Sequence, residues 1–209
     1  MRLVSLISGG IDSPVASYIM SMRGADIILL HMDSGAYEDR KETDKVIRIS
    51  DRLSQVTGKA FPVYVADHER NQTLIKEKTD HKYQCVLCKR TMMHVAREFA
   101  KEHGCEGIVM GDSLGQVASQ TLRNLKAETV DLDFPVVRPF IGMDKEEIID
   151  IARRIGTFDI SIERTTGCGI VPQKPITMAS PKDVLDLQSK LDFEEMVKAS
   201  AASARLIHQ

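Results

Sequence analysis

The 209-residue sequence lacks an excess of charge of either sign, with 28 Lys and Arg facing 30 Asp and Glu for a formal net charge of −2 at pH 7. Such a balance gives the chain no overall footprint for nucleic acid or anionic membrane, so any handling of RNA falls to a local patch or a partner. It also lacks an apolar run near the roughly 18 residues of a membrane span, and Leu3–Ile7 is too short for the core of a signal peptide. The expectation is a cytoplasmic protein with no membrane association. Cysteines are few, four in all. Without a secretory signal they argue for reduced thiols that are buried, catalytic or metal-bound, and against a disulfide framework. No internal repeat, low-complexity linker or shift in composition marks a second domain. What is present is 43% apolar residues, enough for a real core at the usual domain size of about 150 residues. That excludes a disordered chain, a coiled coil and a disulfide miniprotein.

Short apolar runs alternate with helical periods. Leu3–Ile7, Asp26–His31, Phe61–Ala66, Gly107–Met110 and Val136–Pro139 read as buried strands bounded by Gly, Asp or Pro. Between them, Glu38–Thr57, Leu87–His103 and Asp144–Ile155 carry apolar residues on one face and end at Gly58, Gly104 and Gly156, the residue type that best closes a helix. Strands separated by helices predict a doubly wound α/β fold, a mostly parallel five-stranded sheet with helices on both faces. After Gly156 the rhythm stops. Residues 157–181 read as irregular and about 182–206 as helical, so the expected division is a core over 1–156 and a C-terminal extension over 157–209.

The first strand runs into Ser8-Gly9-Gly10-Ile11-Asp12-Ser13-Pro14, and an apolar helix follows. Two glycines let backbone approach a ligand, two serines offer hydroxyls, and Pro14 suits the first turn of a helix whose N–H groups point at an anion. This is a phosphate cradle of neither the Walker nor the GxGxxG kind. Asp12 is out of place beside a phosphate unless a cation such as Mg²⁺ sits between them. Lys145 breaks another local rule. It follows the N-cap Asp144, with Glu147 completing a capping box, and so puts a cation where the helix dipole favours anions. A bound phosphate would suit it there.

Cys85 and Cys88 form a CxxC, which alone reads equally as a redox pair, half of a zinc site or two ligands of a cluster. Lys89 and Arg90 follow, placed to lower the thiol pKa values. Cys168, between two glycines, is the third candidate, and Cys105 reads as a small buried hydrophobe. Structural zinc wants a fourth ligand that no nearby motif supplies. Three cysteines fit an iron–sulfur cluster with one open iron better.

Ser8–Pro14 resembles the SGGxDS motif of the PP-loop ATP pyrophosphatases. Gly111-Asp112-Ser113-Leu114-Gly115-Gln116-Val117-Ala118-Ser119-Gln120-Thr121 and Arg138-Pro139-Phe140-Ile141-Gly142-Met143-Asp144-Lys145 narrow the resemblance to the catalytic domain of ThiI-like tRNA 4-thiouridine synthetases. The resemblance implies ATP bound by Ser8, Gly9, Gly10, Ile11, Asp12 and Ser13, with His31 and Met32 on the adenosine side unless His31 only packs. Gly111, Gln116 and Gln120 would complete the nucleotide site from a second loop, at the point where the winding of the sheet reverses. It further implies Lys145 as essential, Asp12 as the Mg²⁺ ligand, and roles for Asp112 and Gln116 in placing the base or the metal. Cys168 matches the family's sulfur-handling cysteine. Together with Cys85 and Cys88 it resembles the methanogen-type archaeal branch, in which three cysteines hold an iron–sulfur cluster and sulfide is the donor, the alternative being a persulfide or disulfide on Cys168.

The implied reaction adenylates a tRNA uridine at O4, releases pyrophosphate and replaces oxygen by sulfur. Full-length members grip tRNA through a THUMP region and bacterial members add a rhodanese domain. With the PP-loop strand starting at Arg2 and the chain ending at Gln209, the expectation is that a separate THUMP-containing protein or domain, or a homodimer, helps to hold tRNA. Lys89, Arg90, Arg97, Arg153, Arg154, Arg164 and Lys174 are the cations available for a local patch. Two rival readings are an ammonia-dependent PP-loop ligase or amidotransferase acting on a small carbonyl, and a non-catalytic adenine-nucleotide-binding domain.

Overall fold

The computed structural model describes residues 1–209. In chain order the elements are β1 (Arg2–Ile7), α1 (Asp12–Met22), β2 (Asp26–Asp33), α2 (Lys41–Thr57), β3 (Val63–Asp67), α3 (Glu69–Lys78), α4 (Gln84–Glu102), β4 (Ile108–Val109), α5 (Leu122–Glu128), β5 (Val136–Val137), α6 (Lys145–Ile155), α7 (Phe158–Ser161), α8 (Pro181–Gln188), α9 (Phe193–Ala202) and β6 (Arg205–His208). They build one sheet of order β5-β4-β1-β2-β3-β6. Every pair is parallel except β3 with β6.

Strand periodicity sorts the core into two layers. Val4 and Leu6 of β1 and Ile28, Leu30 and Met32 of β2 face a cluster with Val95, Ala96 and Phe99 of α4 and Met196 of α9. Leu3 and Ile7 of β1 and Ile27 and Leu29 of β2 face the opposite cluster with Val15 of α1, Ile49 and Leu53 of α2 and Ile148 and Ala152 of α6. Ser5 lies in the second layer, where its hydroxyl bonds that of Ser17 at 2.8 Å. That pairing satisfies two buried polar groups at the β1–α1 crossing.

The sheet has six strands rather than five, and the sixth comes from the predicted helical tail. That tail divides into α8 and α9, separated by a break whose Leu191 is buried, and ends in β6. The open edge of β3 explains the difference. Its unpaired N–H and C=O groups are met by an antiparallel strand pairing Tyr64 with Leu206 and Val65 with Arg205. Residues 157–181 are irregular apart from the single turn α7, and α3 and α5 occupy stretches whose few apolar residues carry no clear helical period.

Candidate functional site

β1 pairs with β2 on one side and β4 on the other, so the winding reverses between β1 and β4. The loops leaving β1 and β4 therefore meet beyond the strand ends. Gly111 sits so close to the start of α1 that a Cβ there would lie 2.7 Å from the Ser13 nitrogen. Only glycine permits that approach, because the obstructing atoms are backbone.

The β1–α1 loop is held by its own serines. The Ser13 hydroxyl accepts from the Ser8 N–H at 3.0 Å and lies 3.3 Å from the Ser8 hydroxyl, which in turn accepts from the Gly10 N–H at 3.3 Å. Ile11, the residue before α1, makes no side-chain cap, leaving first-turn N–H groups of that helix without a side-chain partner. Lys145 reaches this point from α6, whose Asp144 and Glu147 form the predicted capping box. Its Nζ donates to Asp12 Oδ1 at 2.5 Å.

One cavity of about 410 Å³ is lined by both Ser8 and Gly10 of the loop and Cys88 and Cys168, with His31 and Met32 between them. His31 is buried, its Nδ1 3.1 Å from the Ile7 carbonyl and its Nε2 3.0 Å from Glu38 Oε1. Burial opposes its protonation, yet the Glu38 carboxylate outweighs this and raises its pKa. No three His, Cys, Asp or Glu side chains are placed to share one metal ion. Cys88 Sγ lies 3.2 Å from His68 Nε2, Cys168 Sγ lies 3.9 Å from Gln72 Oε1, and the charge of Cys168 is felt at both Cys85 and Cys88.

Lys89 acts to lower the pKa values of those thiols but is outweighed, and Arg90 is not among the groups acting on them. Burial, reinforced by Cys168, raises Cys85 and Cys88 above the ordinary thiol value. Lys89 donates to Asp112 Oδ1 at 2.7 Å. Arg90 is fully buried, bonding Gln188 Oε1 at 2.5 Å and the Glu128 carbonyl at 3.2 Å, so it takes no part in a surface patch. Cys105 is buried as expected.

Asp112 is the hub of the second loop. It is 2% exposed, and its other oxygen accepts from Arg138 Nε at 3.1 Å. Burial works against its ionisation, but Lys89 and Arg138 prevail and hold its carboxyl below the usual carboxylate range. Gln120 Nε2 comes within 3.5 Å of Asp112 Oδ1, whereas Gln116 is half-buried with its Nε2 shielded and unpaired.

Several residues here were not evident from motif reading. Glu128 is fully buried with neither carboxylate oxygen paired, and burial pushes its pKa up to about 8. Lys45 is also buried, donating to the Ser161 and Glu163 carbonyls at 3.1 and 3.3 Å and so tying α2 to the segment that leads to Cys168. His68 and Gln72 sit where β3 meets α3. The usable signal for all four was a polar residue near the carboxyl end of a strand, or a charge inside an otherwise apolar helix face.

The fold recurs in solved structures. A crystal structure of a 4-thiouridine synthetase–RNA complex with bound ATP superposes with a TM-score of 0.94 and 31% identity, covering 99% of this chain and 54% of that one. An NMN synthetase from Francisella tularensis shares the fold at a TM-score of 0.54 and 12% identity, covering 96% of this chain and 83% of that one. Among curated sequences, a protein of Thermococcus kodakarensis is 45% identical over 198 residues, covering 93% of this chain and 51% of its own length. One of Methanothermobacter thermautotrophicus is 41% identical over 197 residues, with 94% and 51% covered. Both carry the name "Probable tRNA sulfurtransferase". The chain spans about half the length of these relatives. Residues 1–193 match the family described as thiamine biosynthesis protein (ThiI), and the chain belongs to that family.

Proposed function

We propose that this chain is the catalytic domain of an ATP-dependent tRNA sulfurtransferase that converts a uridine to 4-thiouridine. The observation that carries this reading is that Ser8 and Gly10 of the phosphate loop line the same cavity as Cys88 and Cys168. Within the chain, residues 1–156 would form the PP-loop core and 157–209 the extension that carries Cys168.

In the first step the uridine O4 attacks the α-phosphorus of ATP. The O4–P bond forms, the Pα–O bond to pyrophosphate breaks, and the base gives up its N3 proton. The N–H groups of Gly9, Gly10 and the first turn of α1, together with Lys145, meet the charge that grows on the departing pyrophosphate. With a nucleotide in place, Lys145 exchanges its Asp12 partner for phosphate oxygens. Asp12 is a hard oxygen donor beside the cradle and suits Mg²⁺, which when bound would neutralise phosphate charge. His31 and Met32 border the adenosine, and Gly111, Gln116 and Gln120 close the site from the second loop. Asp112, clamped by Lys89 and Arg138, fixes that loop.

In the second step a sulfur nucleophile attacks C4. The C4–S bond forms, the C4–O bond to AMP breaks, and N3 recovers a proton. Cys85, Cys88 and Cys168, near enough to act on one another electrostatically, would hold an iron–sulfur cluster, to which three thiolates are suited. When bound, the cluster would supply an iron with an open position for sulfide. A persulfide on Cys168 is the second reading, favoured by that residue's exposure; its outer sulfur would attack C4 as AMP leaves, and a second thiol would then break the S–S bond, freeing the thiouridine and leaving a disulfide on Cys168. With a net charge of −2, the chain is expected to rely on a THUMP-containing region or partner, or a second copy of itself, to hold tRNA.

The deciding assay is pyrophosphate release from ATP with unmodified tRNA and a THUMP-containing partner present. Stimulation by tRNA is the expected result, and none overturns the substrate assignment in favour of a small-carbonyl ligase or a non-catalytic nucleotide binder. Iron and acid-labile sulfide in anaerobically purified protein then choose between cluster and persulfide.

A further inference from the structure

His68 follows the last residue of β3, and its backbone N–H donates to the Asp33 carbonyl at 2.8 Å, fixing it to the end of β2. Its ring is 1% exposed and lies between two partners. Asn71 Nδ2 approaches Nδ1 at 3.3 Å, and Cys88 Sγ lies 3.2 Å from Nε2. An amide N–H can only donate, so Nδ1 accepts and carries no proton. A neutral imidazole then bears its hydrogen on Nε2, pointed at the sulfur.

One helical turn further on, Gln72 extends the arrangement. Its Nε2 donates to Ser34 Oγ at 2.7 Å and its backbone carbonyl accepts from Gln84 Nε2 at 3.1 Å. The side chain so fixed presents Oε1 to Cys168 Sγ at 3.9 Å. Residues four apart on a helix share a face. The first turn of α3 thus addresses two sulfurs that arrive on different elements, Cys88 from α4 and Cys168 from the irregular segment after α7.

We propose that His68 is a positioning residue of the sulfur site, an Nε2–H donor that fixes the Cys88 sulfur, with Gln72 as its companion toward Cys168. Hydrogen bonds of this kind orient a ligating or reacting sulfur and tune its electron density, and losing an outer partner of a metal ligand typically costs about 10–100-fold in affinity or activity. The inference rests on the sulfur-transfer reading for its consequence in turnover, but not for the hydrogen bond itself.

Two measurements keep those levels apart. In the metal-free full chain labelled with ¹⁵N-histidine, long-range ¹H–¹⁵N correlation should show His68 with its proton on Nε2, and Cys88→Ala should shift Nε2 far more than Nδ1. A proton on Nδ1, or an Nε2 resonance that ignores Cys88→Ala, overturns the proposal whether or not a cluster exists. In the turnover assay, His68→Phe keeps a ring of similar bulk without a donor, and should lose about 10–100-fold in sulfur insertion while losing much less in pyrophosphate release. His68→Gln, which restores an N–H of similar reach, should recover most of the loss. Equal loss of both steps in His68→Phe, or failure of His68→Gln to recover it, would reduce His68 to a packing residue. Absence of iron and acid-labile sulfide from the wild-type protein would sink the cluster reading and leave the ¹⁵N result to decide for His68.

Discussion

The phosphate side and the sulfur side of the same cavity are built in opposite ways. On the phosphate side the loop already holds itself, with Ser8, Gly10 and Ser13 bonded to one another and Lys145 on Asp12. On the sulfur side three thiols approach from two elements, share no common point and are kept in their neutral forms by burial at Cys85 and Cys88. A site that must meet the same polyphosphate in every turnover gains from preorganised dipoles. One that must load, hold and release sulfur gains from groups whose charge appears only when a ligand arrives.

The largest expected effect separates the two sides. Cys168→Ser should bring sulfur insertion below detection, because it removes a thiol from the sulfur step, yet leave thermal stability near that of the wild type since Cys168 is exposed. Parallel assays of thiolated tRNA and of pyrophosphate check it. Pyrophosphate release that collapses along with thiolation would show that the two sides are not separable. Lys145→Ala makes the reciprocal cut. Removing a preorganised cation from the place where pyrophosphate charge develops should slow its release about 10²–10³-fold. The ¹⁵N-histidine spectrum of His68 should stay unchanged, because Lys145 bonds Asp12 and makes no hydrogen bond to His68, Asn71 or Cys88.

Glu128 tests the ground between them, since Lys89 and Asp112 both act on it. Its carboxyl is raised from 4.5 to about 8 by burial. The native state therefore retains a proton that the unfolded chain has already released, and stability declines as pH rises between those two values. Below 4.5 both states are protonated, and above about 8 neither is, so the slope is confined to that window. Glu128→Gln, neutral at every pH, should flatten the decline and stabilise the protein by one to a few kcal/mol at pH 8 on the scale of about 1.36 kcal/mol per pKa unit. Thermal melts from pH 5 to pH 8 check the sign, and a wild-type curve that climbs with pH would refute it.

The same contrast governs what could be read from the sequence. The phosphate side is local: Ser8–Ser13 is one continuous motif, and Asp144-Lys145 with Glu147 announces both the cap and the misplaced cation. Its fold follows from alternating strands and helices whose apolar periods are strong. The sulfur side was legible only as residue types. CxxC and Cys168 could be named, but not that Lys89 bonds Asp112, that Arg90 is an internal brace, or that burial outweighs the neighbouring lysine and raises the thiols. These depend on packing between α4 and elements 20–100 residues distant in sequence. His68 and Gln72 were missed because the α3 sequence ERNQTLIKEK carries too few apolar positions to signal a helix. β6 was absorbed into a predicted helix because only the free edge of β3, which no local pattern records, makes Arg205–His208 a strand.

The smallest effect asks how far the preorganisation of the phosphate side depends on its helix cap. Asp144 accepts from the Glu147 N–H at 3.0 Å, and Glu147 Oε2 accepts in return from the Asp144 N–H at 2.9 Å. Asp144→Ala removes the oxygen that caps the Glu147 N–H, leaving only the backbone half of this exchange, and should cost about 1 kcal/mol of stability, the usual value of an N-cap. The first turn of α6 carries Lys145, so fraying there loosens the cation without removing it. Pyrophosphate release should fall only a few-fold, far less than for Lys145→Ala, with the loss appearing in KM for ATP rather than in kcat. Asp144→Asn, which retains a capping oxygen, should restore both stability and KM. If Asp144→Ala instead matched Lys145→Ala in kcat, the cap itself would be holding the lysine on the reacting phosphate, and the phosphate side would be no more self-supporting than the sulfur side.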